Sequence, residues 1–363
     1  MKALTVGSAM IDTIAIIESD RIERMSMLNA ETSFLLLEEG RKTEALEIST
    51  HCGGGGVNAA VAMARLGVDV AALVKLGRDA RAELILARLT DEGISPLWAI
   101  RDAHAPTGAS VLISSHERNA AVFTFRGANT HLAPEDLDDE AFAVDLVYVS
   151  GLSNESADCF PAIIDKAKAH GALVAGNPGV RQLSARGSAF QESLTQIDIL
   201  AINRREADSL VASLVAKFGE CGPALPLNAG ETPPALVARG LVSGGFEMTL
   251  AAFFGALRKL GARYVVITDG RSGAFLCNKG HIIFCPALDA EVAGTAGAGD
   301  AFVATFAAFI ALGRPNEVAL EAAALNAASV VAHVDTQTGL MTREAIEKRI
   351  GGGIDFHLRR WAL

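Results

Sequence analysis

The stretch that decides the fold is residues 294–302, with the sequence GTAGAGDAF, which runs directly into an apolar segment of helical period. Small residues immediately before a helix let several backbone N–H groups point at one anion, and the helix dipole adds to the attraction. The stretch therefore predicts a phosphate-binding turn. Asp300, at the helix start, is either a helix cap or a general base that takes the proton of an attacking hydroxyl group.

A second glycine-rich stretch, residues 53–60 with the sequence GGGGVNAA, also precedes a helix. Consecutive glycines allow unusual backbone angles and close approach to a ligand, and the Asn58 amide offers both a donor and an acceptor. The stretch predicts a site for a small polar ligand. Neither stretch completes a P-loop or a dinucleotide fingerprint, which disfavours a nicotinamide-dependent oxidoreductase.

Away from these two stretches, short apolar β-branched runs alternate with longer helical segments. This alternation predicts an α/β fold in which a mostly parallel sheet is covered by helices on both faces. Residues 13–50 and 107–127 interrupt it with hairpin-like patterns and predict a small second sheet. Residues 219–234 are rich in proline and glycine and predict a surface loop or insertion, whereas the glycine-led tail, residues 351–363, is assigned no firm structure.

The composition excludes several classes of protein. The chain has 363 residues, of which 50% are hydrophobic and 20% charged, so it can bury a large core. A net charge of −10 disfavours binding to nucleic acid or to an anionic membrane surface. The longest apolar run, residues 301–312, is shorter than the ~20 residues that a membrane span needs. Five cysteines without a C-x-x-C pair indicate a reducing cytoplasm and no structural zinc site.

The two glycine-rich stretches together resemble the paired signatures of the PfkB (ribokinase-like) family of carbohydrate and nucleoside kinases. The resemblance extends over nearly the whole chain, because further segments match family motifs in the same order. These segments are residues 7–12 (GSAMID), 107–108 (TG), 127–129 (GAN), 203–206 (NRRE) and 268–273 (TDGRSG).

The resemblance implies a three-layer α/β/α sandwich with a small β-sheet lid, and phosphorylation of a hydroxymethyl group with ATP and Mg²⁺. Both signatures must then meet in one site, so residues 1–350 are expected to form a single domain, with the lid at 13–50 and 107–127. Asp300 would be the catalytic base, and the amides of Gly297, Ala298 and Gly299 would hold the γ-phosphate.

The resemblance also assigns the remaining site residues. Asn203 and Glu206 would organise Mg²⁺ through water, although without the family pattern a solvated helix start would be the favoured explanation for both residues. Gly294 stands where the family usually has an aspartate, which weakens the case for activation by K⁺. The sugar-binding residues would be Asp12, Gly54, Gly55 and Asn58, and the nucleotide-binding residues would be Asn203, Thr268, Gly270, Gly273 and Asn326. The alternative for Asn326 is an amide on a helix surface.

The acceptor is expected to be neutral, because a phosphorylated sugar needs two or three cations and the lid and loop segments supply only Arg126. Residues 25–37 are apolar and include Phe34 and Leu36. Lid packing, or a homodimer through the lid, explains such a run, but it would also cover a nucleobase. We therefore favour a ribonucleoside such as adenosine over ribose or another neutral sugar. A regulatory protein that binds ligand without turnover is the remaining alternative, and Asp300 argues against it.

Overall fold

The computed structural model describes residues 1–18, 23–26, 33–36, 40, 42–115, 120–185, 187–219, 222–227 and 230–363. Its strands are β1 (Lys2–Val6), β2 (Met10–Ile17), β3 (Glu23–Ser26), β4 (Ser33–Leu36), β5 (Glu47–Gly53), β6 (Asp69–Leu76), β7 (Ala99–Arg101), β8 (Gly108–Ser115), β9 (Ala120–Phe125), β10 (Leu146–Val149), β11 (Leu173–Gly176), β12 (Ile199–Asn203), β13 (Leu241–Ser243), β14 (Phe246–Met248), β15 (Tyr264–Thr268), β16 (Ala274–Asn278), β17 (His281–Cys285) and β18 (Arg359–Ala362).

The helices connect and cover these strands. They are α1 (Gly55–Arg65), α2 (Ala80–Asp91), α3 (Phe160–Ala169), α4 (Val180–Ala185), α5 (Gly187–Ser193), α6 (Arg204–Phe218), α7 (Ala235–Arg239), α8 (Leu250–Lys259), α9 (Ala298–Ala311), α10 (Asn316–Val330) and α11 (Arg343–Gly351). No helix in the described ranges is both long enough and apolar enough to cross a membrane.

The large central sheet has the strand order β18-β17-β16-β15-β12-β11-β10-β1-β6-β7. Pairing is parallel from β15 through β7 and antiparallel from β15 outwards to β18. Alternate residues of each strand enter two hydrophobic cores, one beneath α1, α9 and α10 and the other beneath α3, α6 and α8. Parallel strands buried on both faces account for their continuous apolar sequences. The predicted three-layer α/β/α architecture is confirmed.

A second, smaller sheet has the order β5-β2-β8-β9. It begins at Met10, slightly earlier than the predicted lid segment, because β2 continues almost directly from β1 of the central sheet. Within the described residues, the strands β3 and β4 pair with each other and with no other strand. Phe34 and Leu36 lie on β4, but their side chains fall outside the described part of the structure.

The C-terminal tail is more ordered than the sequence predicts. Its strand β18 extends the central sheet by pairing antiparallel with β17. Trp361 is buried there, and its indole N–H donates to the carbonyl oxygen of Pro226 at 2.9 Å. The glycines at 351–353 suggested an unstructured end, but a sheet edge and a pocket for Trp361 exist only once the chain has folded.

Asn326 joins three segments of the fold. Its side chain is fully buried on α10, where Nδ2 donates to Thr305 Oγ1 at 2.7 Å and Oδ1 accepts from the Met341 N–H at 2.9 Å. Both ends of the amide are therefore occupied within the protein. The helix-surface reading of Asn326 is wrong, because the side chain is buried, and the amide has no polar group left for the nucleotide contact predicted from the sequence.

We expect Asn326→Ala to lower the free energy of unfolding by about 3 kcal/mol, because it leaves two buried polar groups without a partner. The apparent affinity for nucleotide should not change. Denaturant unfolding and nucleotide titration measure the two quantities. Ser329→Ala, on the same helix, is the matched control and should change stability by about 0.5 kcal/mol or less. A weakened nucleotide affinity with normal stability would contradict the structural role.

Candidate active site

The turn before α9 is built to expose backbone N–H groups. Gly297 has φ +78°, and a Cβ at this position would lie 2.6 Å from the Thr336 Cβ, so the turn requires glycine here. The first N–H groups of a helix have no acceptor within the helix. Those of Ala298 and Gly299 therefore lie at the positive end of the α9 dipole, where an anion is stabilised.

The start of α1 is different, because its N–H groups already have acceptors. Gly55 N donates to Ser8 Oγ at 3.1 Å and Gly56 N donates to the Ser8 carbonyl at 3.0 Å. Gly54 precedes them with φ +93°, and a Cβ on it would lie 2.5 Å from that carbonyl oxygen. This glycine run therefore brings the chain close to Ser8, and α9 is the better candidate for binding a phosphate group.

The two helix starts meet through Asp300 and Asn58. Asn58 Nδ2 donates to Asp300 Oδ2 at 2.9 Å. Asn58 Oδ1 accepts from Thr336 Oγ1 at 2.9 Å and from Gln337 Nε2 at 3.0 Å, which fixes the orientation of the amide. Burial raises the pKa of Asp300, the bond from Asn58 lowers it, and the nearby charge of Asp12 raises it again. Asp300 therefore accepts a proton more readily than an exposed aspartate does.

Asp12, on β2, is the second carboxylate near Asp300. Its carboxylate is buried and accepts a hydrogen bond from Ser110 on β8. A Cβ on Gly53 would lie 1.9 Å from Asp12 Oδ2, so the end of β5 makes room for this carboxylate. Burial raises the pKa of Asp12, whereas Ser110 and the charge of His51 lower it. Asp12 thus offers acceptor oxygens to a polyhydroxylated ligand beside Asp300.

Asn203 and Glu206 form a capping box at the start of α6. Asn203 Oδ1 accepts from the Glu206 N–H at 3.0 Å, and Glu206 Oε2 accepts from the Asn203 N–H at 2.7 Å. The two residues therefore do form a helix start, in which Asn203 is exposed to solvent and Glu206 is not. Glu206 is buried, and burial together with the charge of Asp300 raises its pKa to about 7, against the opposing hydrogen bonds from Asn203.

Such a buried acid beside a second acid fits a hydrated Mg²⁺ ion, which prefers oxygen ligands and keeps much of its water. Among the described residues, no group of three His, Cys, Asp or Glu side chains is placed to coordinate a metal directly. The role of Asn203 and Glu206 toward Mg²⁺ through water stays a prediction. The absence of a side-chain ligand for K⁺ at Gly294 also stays a prediction about activation by this ion. A Cβ on Gly294 would lie 3.0 Å from the His333 carbonyl oxygen.

A cleft of about 510 Å³ opens on the other side of the α9 turn. Its size matches that of sites for nucleotide-sized ligands. Ala298 and Gly299 are among the residues that line it, and Asn326 is not. The residues predicted from sequence to bind nucleotide that do line it are Asn203, Thr268, Gly270 and Gly273.

Several residues of the site were not identified from the sequence. Thr336 and Gln337, which hold Asn58, follow a helix end with no motif of their own. Ser110 lies in a strand where hydroxyl residues are common. Residues 286–290 form one wall of the cleft. The only indication of this role in the sequence is their position between a strand and the glycine-rich turn.

Arg126, at the end of β9, is connected through Asn129 to the turn between β1 and β2. Asn129 binds the Ala9 backbone twice, accepting from its N–H at 2.8 Å and donating to its carbonyl at 2.9 Å. Asn129 Nδ2 also donates to the Arg126 carbonyl at 3.0 Å. The Arg126 guanidinium donates to Ser153 Oγ at 2.8 Å. The end of the small sheet is thereby fixed beside the turn that follows β1.

Comparison with known proteins places this geometry in a family. The family model for pfkB family carbohydrate kinase matches residues 2–225 and 246–343, so that the unmatched interval includes the end of the predicted 219–234 insertion. A deoxyribokinase of Salmonella typhi is 26% identical over 328 residues, covering 90% of this chain and 94% of that protein. A ribokinase of Bacillus subtilis is 25% identical over 301 residues, covering 82% and 86%.

Solved structures share the fold. A ribokinase of Arabidopsis thaliana complexed with ribose and ATP superposes with a TM-score of 0.69 at 23% identity, covering 96% of this chain and 97% of that one. A nucleoside kinase of Methanocaldococcus jannaschii superposes with a TM-score of 0.71 at 19% identity, covering 97% and 99%. With a family match over most of its length and this fold around Asp300, the chain belongs to the pfkB family of carbohydrate kinases.

Proposed function

We propose that this kinase transfers the γ-phosphoryl group of ATP to the hydroxymethyl oxygen of a pentose, either free or within a nucleoside. The observation that carries the proposal is the position of Asp300. On one side its carboxylate meets Asn58 and the charge of Asp12. On the other side, the neighbouring Ala298 and Gly299 line the nucleotide-sized cleft. Acceptor and donor can thus meet at one carboxylate.

In the proposed step, the acceptor oxygen attacks the γ-phosphorus and forms a new P–O bond. The bond between that phosphorus and the bridging oxygen breaks, and ADP leaves with the electron pair. The proton of the attacking hydroxyl passes to Asp300. The raised pKa of Asp300 favours this transfer, and the bond from Asn58 holds the carboxylate in place.

The chain stabilises the transferred group mainly through α9. Charge that develops on the phosphoryl oxygens is met by the N–H groups of Gly297, Ala298 and Gly299, and one preorganised donor of this kind is worth ~3 kcal/mol. Mg²⁺, when bound, neutralises charge on the ATP phosphates. Asn203 and Glu206 would hold its water shell at the carboxyl end of β12, and Thr268, Gly270 and Gly273 would contact the nucleotide.

The sugar would lie between Asp12 and Asn58. Because both oxygen-bonding positions of Asn58 Oδ1 are taken by Thr336 and Gln337, this residue has only an N–H left for the acceptor. Gly54 and Gly55 would act on the sugar site indirectly, because they let the start of α1 pass close to Ser8 and Ser150 beside Asp300. The preference for adenosine depended on the side chains of residues 25–37, which lie outside the described residues, so it stays a prediction with ribose as the alternative.

Asp300→Asn should lower kcat by about 10²–10⁴-fold, because the proton of the attacking hydroxyl loses its acceptor. Binding of ATP and of the acceptor should change little, since asparagine keeps the shape of the side chain. ADP release and calorimetric binding measure the two effects, and Asp91→Asn, at an exposed end of α2, is the control. Normal turnover in Asp300→Asn would remove Asp300 as the base. Binding by wild type without turnover of any acceptor would favour the regulatory alternative.

The pH dependence of kcat should show an acid limb set by Asp300. As pH falls through the raised pKa of Asp300, the base becomes protonated and kcat falls. Removing the Asn58 donor in Asn58→Ala takes away the interaction that lowers this pKa, so the limb should move to higher pH. A pH profile of kcat at saturating substrates makes the measurement. A limb that stays in place, or that moves to lower pH, would contradict the assignment.

The small sheet also supports the predicted homodimer. Its pairing register places Ile48, Val111, Phe123 and Phe125 on one face, opposite to that of Asp12, and all four side chains are exposed. Exposed apolar patches of this kind mark interaction sites. A second copy of the chain would bring an identical apolar face, as a two-fold symmetric interface requires.

Replacing Phe123 and Phe125 by serine should therefore convert a dimer to a monomer, because the change removes much of the apolar area from the shared face. Sedimentation velocity at several concentrations gives the oligomeric state. Leu97→Ser, an exposed leucine on a loop outside the small sheet, is the matched control. A wild-type protein that is monomeric at high concentration would refute this interface.

A further inference from the structure

The buried side chain of Gln337 connects Asn58 to a charged cluster outside the site. Gln337 is 3% exposed and lies in the loop between α10 and α11. Its Nε2 donates to Asn58 Oδ1 at 3.0 Å, and its Oε1 accepts from Arg88 Nε at 2.9 Å. Asn58 Nδ2 donates in turn to Asp300 Oδ2 at 2.9 Å. Two side-chain amides therefore connect the guanidinium of Arg88 to the carboxylate of Asp300.

The two amides fit this chain of hydrogen bonds in one direction only. A reversed Gln337 amide would turn its NH₂ group toward Arg88 Nε, which is a donor and cannot accept. With Gln337 fixed, the oxygen of Asn58 faces Gln337 and the NH₂ group of Asn58 faces Asp300. Thr336 Oγ1 also donates to Asn58, but a hydroxyl group can donate or accept and does not fix an amide by itself. The direction of the bond to Asp300 therefore depends on Arg88.

Arg88 is held in place by an ion cluster at the end of α2. Its Nη2 lies 2.8 Å from Glu92 Oε1, one helical turn further along. Arg65 on α1 donates to both oxygens of Glu92, at 2.7 and 3.1 Å. The hydrogen bond from Arg65, together with the charges of both arginines, lowers the pKa of Glu92 against the effect of burial. The three side chains carry one net positive charge, which lies at the end of the amide chain opposite to Asp300.

The main chain of Gln337 is fixed from two sides. Arg65 Nη1 donates to the carbonyl oxygens of Gln337 and Leu340, each at 2.9 Å. Asp335 Oδ1 accepts from the Gln337 N–H at 2.8 Å. The loop between α10 and α11 is thereby tied to α1 at the residue that contacts Asn58. Support of this kind keeps a hydrogen-bonded side chain in the geometry that a site requires.

We propose that Arg88 is a positioning residue for the catalytic carboxylate, which it orients through Gln337 and Asn58. This role rests on the proposed function, which makes Asp300 the base. A cation, two amide dipoles aligned head to tail and a carboxylate strengthen one another, and the effect is largest where water is excluded. Arg88 thus keeps the Asn58 donor directed at Asp300 and favours the ionised form, which accepts the proton. Arg88 is not among the residues that line the nucleotide cleft, so ATP binding should not depend on it.

Other titratable groups near Asp300 do not belong to this chain of hydrogen bonds. Besides burial, the charge of Asp12 on β2 raises the pKa of Asp300. Burial and the charge of Asp300 raise the pKa of Tyr148, on β10, well above its usual value, and that of Glu206, on α6, to about 7. Glu206 can therefore contribute to a pH profile of kcat, so the protonation of Asp300 has to be observed directly. Substitutions at Arg88 leave these three side chains unchanged.

The test follows Asp300 by NMR in protein that carries ¹³C at the aspartate γ-carbons, a label that Glu206 does not carry. The signal of Asp300 is the one that Asp300→Asn lacks. Arg88→Met removes the cation, Arg88→Lys keeps it, and Gln337→Met removes both polar groups of the amide. In Arg88→Met and Gln337→Met, we expect the titration midpoint of Asp300 to move to higher pH, because the carboxylate loses part of the interaction that lowers its pKa. Arg88→Lys should titrate like wild type.

Kinetics provide a second measurement. Arg88→Met and Gln337→Met should each lower kcat about threefold to tenfold, the worth of one hydrogen bond, and change the KM for ATP about twofold or less. If Arg88 acts through Gln337, then adding Arg88→Met to Gln337→Met should shift the Asp300 midpoint no further. Arg349→Met, at an exposed arginine on α11, is the control and should leave the midpoint and kcat unchanged.

The outcomes separate the positioning role from the proposed function. A midpoint of Asp300 that stays in place in Arg88→Met, or that moves to lower pH, overturns the positioning role, while turnover that depends on Asp300 keeps the function. A double variant whose shift is the sum of the two single shifts also overturns it, since Arg88 would then act by another route. Shifted midpoints in a protein that phosphorylates no acceptor support the path through Gln337 and refute the function. Arg88→Gln, which also removes the charge, replaces Arg88→Met if that variant does not fold.

Discussion

The hydrogen bond from Asn58 to Asp300 is the contact on which the site depends. It joins the starts of α1 and α9, two helices separated by most of the chain, at the carboxyl edge of the central sheet. Asn58 can make it in one orientation only, because Thr336 and Gln337 occupy its oxygen. The residues that hold the acceptor and those that hold the phosphoryl group are therefore fixed relative to one another.

Charge presents the main difficulty for this site. The chain carries a net charge of −10, and three of its acidic side chains, Asp12, Asp300 and Glu206, lie in the site, where burial raises the pKa of all three. A polyanionic nucleotide gains nothing from the overall field of such a protein. Local groups must supply the attraction, and the α9 N–H groups and Mg²⁺ would do so for ATP.

Local sequence patterns predicted the structure correctly where the backbone conformation at a position requires one type of residue. The turn at Gly297 and the capping box of Asn203 and Glu206 follow from chain geometry within a few residues. Patterns failed where a partner comes from elsewhere in the chain. Asn326 was read as a nucleotide contact or a helix-surface amide, because nothing near it shows that Thr305 and Met341 occupy its two ends.

The sequence by itself determined the α/β class, the two glycine-rich helix starts and the carboxylate at Asp300, because these depend on periodicity and on backbone geometry over short stretches. Only the tertiary structure decided that Glu206 is buried and that the tail supplies β18. Burial and sheet edges are properties of packing between distant segments, and no short stretch of sequence contains them.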